Sequence, residues 1–170
     1  GDDGILQWLV SHLPDIPDTF IEIGVEDYSE ATTRFLLMRN AWRGHIVDPR
    51  PGLRRKLERS HWFWRFELGV SQRFVTAENV NDIVQEAGFG AEPGLLHIDI
   101  DGMDYWVWKA LDVCRPAVVV VEYNAVFGAD RLVTVPYQAQ FNRLQAHSSG
   151  LYFGASYAAL CALAQNKGYR

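Results

Sequence analysis

Residues Ala117 to Tyr123 read AVVVVEY, four valines in succession with no polar residue between them. A strand with one wet face alternates apolar and polar residues. An unbroken run predicts a strand covered on both sides, as in a parallel sheet flanked by helices. Parallel neighbours need long crossover connections, usually helical, so the rest of the chain must alternate strands with helices.

That alternation is readable from the first residues. Ile5, Leu6, Leu9, Val10 and Leu13 follow helical spacing, and Pro14 and Pro17 close the element. Thr19 to Ile23 (TFIEI) is a short apolar strand ending at Gly24, and a helix follows over about Glu30 to Asn40, with Phe35, Leu36 and Met38 inward. Gly44 to Asp48 (GHIVD) is a second strand, closed by Pro49 and Pro51. The basic run Arg50 to Arg59 carries Leu53 and Leu57 at helical spacing, so its cations form the wet face of an amphipathic helix. Trp62 to Leu68 is aromatic and predicts a third strand. Thr76 opens a helix ending at Gly88, Leu95 to Ile100 is a fourth strand, and Met103 to Val113 a helix. The final helix, Ala155 to Lys167, places Tyr157, Leu160, Cys161 and Ala164 on one face. Trp62, Trp64, Trp106 and Trp108 are expected in the core.

At 170 residues the chain suits one domain. It opens on a helix and stops at Gly168-Tyr169-Arg170, where a further strand is expected, so residues 1–170 are read as a single domain cut short at its C-terminal end. The net charge of -5 carries no nucleic-acid footprint, and no apolar run reaches the roughly 18 residues a membrane span needs. Cys114 and Cys161 have neither metal spacing nor a disulfide framework. We expect inert core thiols and a reducing, cytoplasmic setting, with neither nucleic acid nor membrane as partner.

Between Tyr123 and Gly154 about thirty residues break the rhythm, apart from a short helix expected over Gln138 to Gln145. A connection of this length is usually functional, and its aromatics mark it as a wall or lid on the substrate side.

Chemistry gathers at three strand ends. Glu22-Ile-Gly24-Val-Glu26-Asp27 joins an acidic strand end to a glycine that lets the backbone come close to a ligand. It lacks the second and third glycines of a dinucleotide loop, and Glu26 and Asp27 would repel a pyrophosphate. A cofactor with a cationic or zwitterionic end suits it better. Asp48 ends the second strand where a carboxylate accepts from ribose hydroxyls. Leu95-Leu-His-Ile-Asp-Ile-Asp-Gly-Met-Asp-Tyr105 places Asp99, Asp101 and Asp104 where the fourth strand breaks through Gly102 into a helix, and Glu122-Tyr-Asn124 ends the valine strand. Gathered oxygens of this kind suit a divalent cation such as Mg²⁺ or Mn²⁺, with Asp101, Glu122 and Asn124 as its ligands. They equally suit general-base work, with Asp99, Asp101 and Glu122 as the catalytic set. Asp104 also reads as a helix-start residue. His97 reads as a buried, hydrogen-bonded structural histidine, and His45, His61 and His147 have no partner visible.

The segments IEIG, VDP, HIDIDGMDYWVW and VEYN together resemble class I S-adenosylmethionine-dependent methyltransferases, nearest to the FkbM-like group, over about Thr19 to Gly168. The resemblance implies an α/β, Rossmann-like doubly wound sheet, mostly parallel in order 3-2-1-4-5, with helices on both faces and the last strands missing. It implies that Glu22, Gly24 and the Glu26 loop hold the methionine end of S-adenosylmethionine. Asp48 would hold the ribose and Glu67 to Ser71 would line the adenine. Asp99 would lie near the cofactor's amino group or the reacting centre. The expected activity is methylation of a hydroxyl on a sugar or other small polar acceptor. The alternatives are a nucleotide-sugar or NAD-dependent oxidoreductase and a non-catalytic Rossmann-like binding module.

Overall fold

A computed structural model describes residues 2–170, with side chains from Gly4 onward. Its elements are α1 (Asp2–His12), β1 (Thr19–Ile23), α2 (Arg34–Asn40), β2 (Arg43–Val47), α3 (Leu53–Glu58), β3 (Leu68–Ser71), α4 (Val80–Glu86), β4 (Leu95–Ile98), α5 (Asp104–Ala110), β5 (Val118–Val121), α6 (Arg143–Ala146) and α7 (Tyr157–Asn166). The five strands form one all-parallel sheet in the order β3-β2-β1-β4-β5. This is the α/β, Rossmann-like architecture expected from the strand and helix alternation. The order reverses between β1 and β4, the place where ligands bind in such sheets.

The faces separate by strand alternation. Phe20, Ile46, Leu68 and Leu95 pack on one side with Leu6, Leu36, Leu37, Leu53 and Leu57 of the first three helices. Ile21, Ile23, Val47, Leu96 and Ile98 pack on the other with Ile83, Val107, Trp108, Leu160 and Leu163 of α4, α5 and α7. Following the first face beyond its buried leucines and isoleucines leads to Glu22 and His97, then to Gly24, Asp48, Asp99 and Glu122. The apolar core thus gives way to a polar rim at the carboxyl ends of the strands.

Several elements differ from expectation. The third strand is Leu68–Ser71 rather than Trp62 to Leu68. The aromatic stretch instead makes a 3-10 turn at Phe63–Arg65 and packs Trp62, Phe63 and Phe66 onto the helix-side core, Trp62 lying 6.3 Å from the Tyr28 ring. Trp64 on that turn is 75% exposed, not core. The valine strand is the sheet's edge, so Val118–Val121 are only partly buried, each side chain still reaching one of the two cores. On α7 the inward face is Ala159, Leu160 and Leu163, and Tyr157 faces out. The helix after Thr76 begins at Val80, because Asn79 Oδ1 accepts from the Thr76 N–H and sets up the turn. The short helix in the long connection lies at Arg143–Ala146, capped by Asn142.

Gly24 is required by packing. Its φ is +88°, and a Cβ there would fall on the carbonyl oxygen of Asp99, while the Asp99 N–H donates to Ile23. Gly24→Ala is expected to destabilise the protein by about 3 kcal/mol, through a strained backbone and overpacking together. Urea denaturation checks it; a loss under about 0.5 kcal/mol, the scale of a neutral surface change, contradicts this account.

Candidate functional site

A cleft of about 490 Å³ opens at the carboxyl ends of β1, β2, β4 and β5, within the range of small-molecule sites. Its floor is Glu22 and His97, partners in the β1–β4 register. Both are buried. Glu22 Oε1 accepts from Thr32 N (2.9 Å) and His97 Nδ1 (2.9 Å), and Oε2 from Thr33 N (3.1 Å) and the Thr33 hydroxyl. Four donors satisfy a carboxylate that would otherwise be costly to bury. The same bonds also satisfy the N–H groups just ahead of α2, which begins at Arg34. The Glu22 carboxylate therefore binds three parts of the fold together below the cleft.

Asp48, 5% exposed, pins the loop after β1. Its Oδ2 accepts from Glu26 N (2.8 Å) and its Oδ1 from Arg50 N (2.9 Å). This loop carries Glu26 and Tyr28 in the left-handed region (φ +53° and +63°), and Arg50 forms an exposed ion pair with Glu26. Asp48 Oδ1 also lies 3.9 Å from the Arg50 guanidinium, and Oδ2, with one N–H, has a second lone pair.

On the other side of Gly24 the carboxylates crowd. Oxygens of Asp99, Asp104 and Glu122 lie within 4.8 Å of one another. Asp104 is buried and accepts from the N–H groups of Ile100 (2.8 Å) and Gly102 (2.9 Å), holding the turn that leads into α5. Burial pushes its carboxyl up to about 6 against the pull of those N–H groups. Burial also raises Glu122 to about 7, helped by the charges of Asp99, Asp104 and Asp101 and opposed by Arg143. Its Oε2 is buried with no hydrogen-bond partner among the described residues. Asp99 is exposed, yet desolvation at the cleft wall raises its carboxyl as well; His97 opposes this, while Asp101 and Glu22 add to it.

The ligand set expected for a divalent cation, Asp101, Glu122 and Asn124, does not assemble. Asp101, at φ +59°, turns outward to pair with Arg143. Buried Asn124 donates to the carbonyls of Leu151 (2.8 Å) and Phe153 (2.9 Å) and accepts from Val126 N, which ties its amide to the long connection. Of the trio that does converge, each Asp104 oxygen accepts one backbone N–H. Glu122 and Asp104, raised to about 7 and about 6, take up protons under mildly acidic conditions and relieve the crowded negative charge there. Of the expected catalytic set, Asp99 and Glu122 share the cleft wall, and Asp101 stands at its rim in an ion pair.

The stretch expected beside an adenine, Glu67 to Ser71, lies off the cleft. Glu67 pairs with exposed Arg43, and the Ser71 hydroxyl meets His45 Nε2 at 2.9 Å. Phe74, Val75 and Thr76 line that side instead.

The long connection supplies the facing wall through Tyr137, Ala139 and Phe141. Phe141 lies against Gly102, where a Cβ would overlap its ring. Tyr137 donates to Glu78, the Trp106 indole donates to Val135 (2.8 Å), and the Arg143 guanidinium sits 4.2 Å over Phe153 while pairing with Asp101. Sequence spacing could not reveal these anchors, since Asp101 and Arg143 stand 42 positions apart.

Because the folded protein holds the Glu122 proton more tightly than the unfolded chain, this group's contribution is complete below its ordinary 4.5 and is lost as the pH rises through about 7. Glu122→Gln removes that loss. Its stability, followed by urea denaturation across this range, is expected to fall less than that of the wild type; an equal fall means Glu122 titrates normally. Comparison of the chain with models of known protein families, with characterised proteins and with solved structures finds no match.

Proposed function

We propose that the chain is an S-adenosylmethionine-dependent methyltransferase acting on a hydroxyl of a sugar or other small polar metabolite. The observation that carries this reading is an acid-rich cleft at the reversal of a 3-2-1-4-5 sheet, with Arg50 the single lysine or arginine lining it among the described residues. Such a lining favours a ligand with positive charge, as a sulfonium and an ammonium would provide. The resemblance carried by IEIG, VDP, HIDIDGMDYWVW and VEYN points the same way. A dinucleotide fits poorly: the Glu26 N–H that could meet a pyrophosphate is held by Asp48, and Glu26 and Asp27 line the same loop.

The residues that would hold the cofactor are the Gly24 to Glu26 backbone, Asp48 through the second lone pair of Oδ2, and Phe74 and Val75 as the apolar side. When bound, the cofactor supplies a methyl group on a positively charged sulfur. The protein's part is to align the acceptor for in-line displacement, exclude water and receive the acceptor's proton. Tyr137 and Phe141 close the acceptor side. The carboxylates Asp99 and Glu122 favour a cationic transferring centre.

Calorimetry with S-adenosylhomocysteine tests the reading. Saturable binding is expected, and Asp48→Asn should weaken it about tenfold or more, the scale of a hydrogen bond to a charged acceptor. An absence of binding by the wild type overturns the proposal. Unchanged affinity in the variant, with folding intact by circular dichroism, removes Asp48 from the site.

A further inference from the structure

His97 is more than a core histidine with its polarity satisfied. Glu22 is an acceptor, so the His97 nitrogen facing it at 2.9 Å, Nδ1, carries the proton. That fixes the tautomer and leaves the lone pair on Nε2. Nε2 has no hydrogen-bond partner among the described residues, yet it is not one of the sealed, unpartnered polar atoms, which are Tyr28 Oη and Glu122 Oε2. The ring lines the floor of the cleft. A carboxylate holding one ring nitrogen while the other is left open is the arrangement that makes an imidazole a positioned proton acceptor. Glu22 is itself immobilised by Thr32 and Thr33, so the ring's orientation is set by two layers of hydrogen bonds.

We propose that His97 is the general base of this cleft, taking the proton of the acceptor hydroxyl on Nε2, with Glu22 as its positioning residue. This rests on the methyltransferase reading above. In the step, the acceptor O–H bond breaks toward Nε2 as the oxygen–methyl bond forms and the sulfur–methyl bond breaks. The sulfur leaves neutral, and the imidazolium later returns its proton to water. The charges facing His97 are Glu22 from β1, Asp99 just beyond β4 and Asp104 from α5. Burial lowers the imidazole's proton affinity, but the Glu22 hydrogen bond and these three negative charges outweigh it and leave the affinity above the ordinary value.

Diethyl pyrocarbonate acylates only an accessible, unprotonated imidazole nitrogen, with loss of ethyl carbonate, and needs no cofactor. Over a pH series from about 5 to 9, mass spectrometry is expected to find an adduct on His97 whose rate rises with a midpoint above 6.5. In Glu22→Gln the midpoint falls. An unreactive His97 beside reacting, exposed His12 and His147 overturns the proposal, as does a midpoint unmoved by the variant. Should Glu22→Gln not fold, long-range proton–nitrogen NMR of the wild type decides. Protonated Nδ1 with bare Nε2 supports the proposal, and the reverse tautomer sinks it. His97→Asn separates this from the cofactor reading: S-adenosylhomocysteine affinity is retained, while label transfer from methyl-tritiated S-adenosylmethionine to a monosaccharide panel falls about a hundredfold or more. Undiminished transfer, or lost cofactor affinity, excludes His97 as the base. Failure of the wild type to bind S-adenosylhomocysteine would instead remove the methyltransferase reading, whatever the acylation shows.

Discussion

The Glu22 carboxylate holds the site together. Burying a charge with no partners is prohibitive, and a buried charge that is kept must be surrounded by donors. Here the donors come from two places: the two N–H groups and the hydroxyl ahead of α2, and the imidazole of β4. Each is thereby fixed relative to β1. The point at which the strand order reverses is joined through this one side chain as well as through the backbone ladder. Everything above it, the Gly24 turn, the Asp48 clasp and the Asp99 wall, takes its position from that layer.

A second constraint is the density of negative charge around the cleft. Carboxylates held this close resist ionising together, so some hold their protons to a higher pH than usual. Asp104 and Glu122 do so for a shared reason, burial beside other acids. Arg143 relieves the charge only partly, because it is drawn outward to Asp101 and stacked on Phe153. The cleft therefore changes its charge between mildly acidic and mildly basic conditions, where an ordinary acidic surface would hold it constant.

The sheet was legible because its signals are local. The unbroken valines, the short apolar strands and the glycine or proline closing each one are read within a few residues of one another. The third strand was misplaced because Trp62, Phe63 and Phe66 look β-prone in isolation, while their partner is the Tyr28 region more than thirty positions away. The strand ends bearing Glu22, Asp48, Asp99 and Glu122 were visible as acids at apolar run ends, since acids there demand an explanation. What each carboxylate touches was not visible. Asp101 and Asn124 look like their neighbours in the sequence, yet they are spent on Arg143 and on backbone carbonyls of the long connection. His97 looked like a core residue because only its burial could be inferred, not which of its nitrogens was left open.

The contact of Gly24 with the Asp99 carbonyl has a consequence for how such a site can move. The loop after β1 and the loop after β4 touch backbone to backbone, with no side chain between them to absorb a change. Neither can lengthen, shorten or re-aim without displacing the other. The two halves of the cleft thus move as one mechanical unit. The long connection carrying Tyr137 and Phe141 meets the loop after β4 through the Phe141 ring against Gly102 and the Gly154 N–H to the Gly102 carbonyl (3.0 Å), so that wall can shift while the floor stays the same.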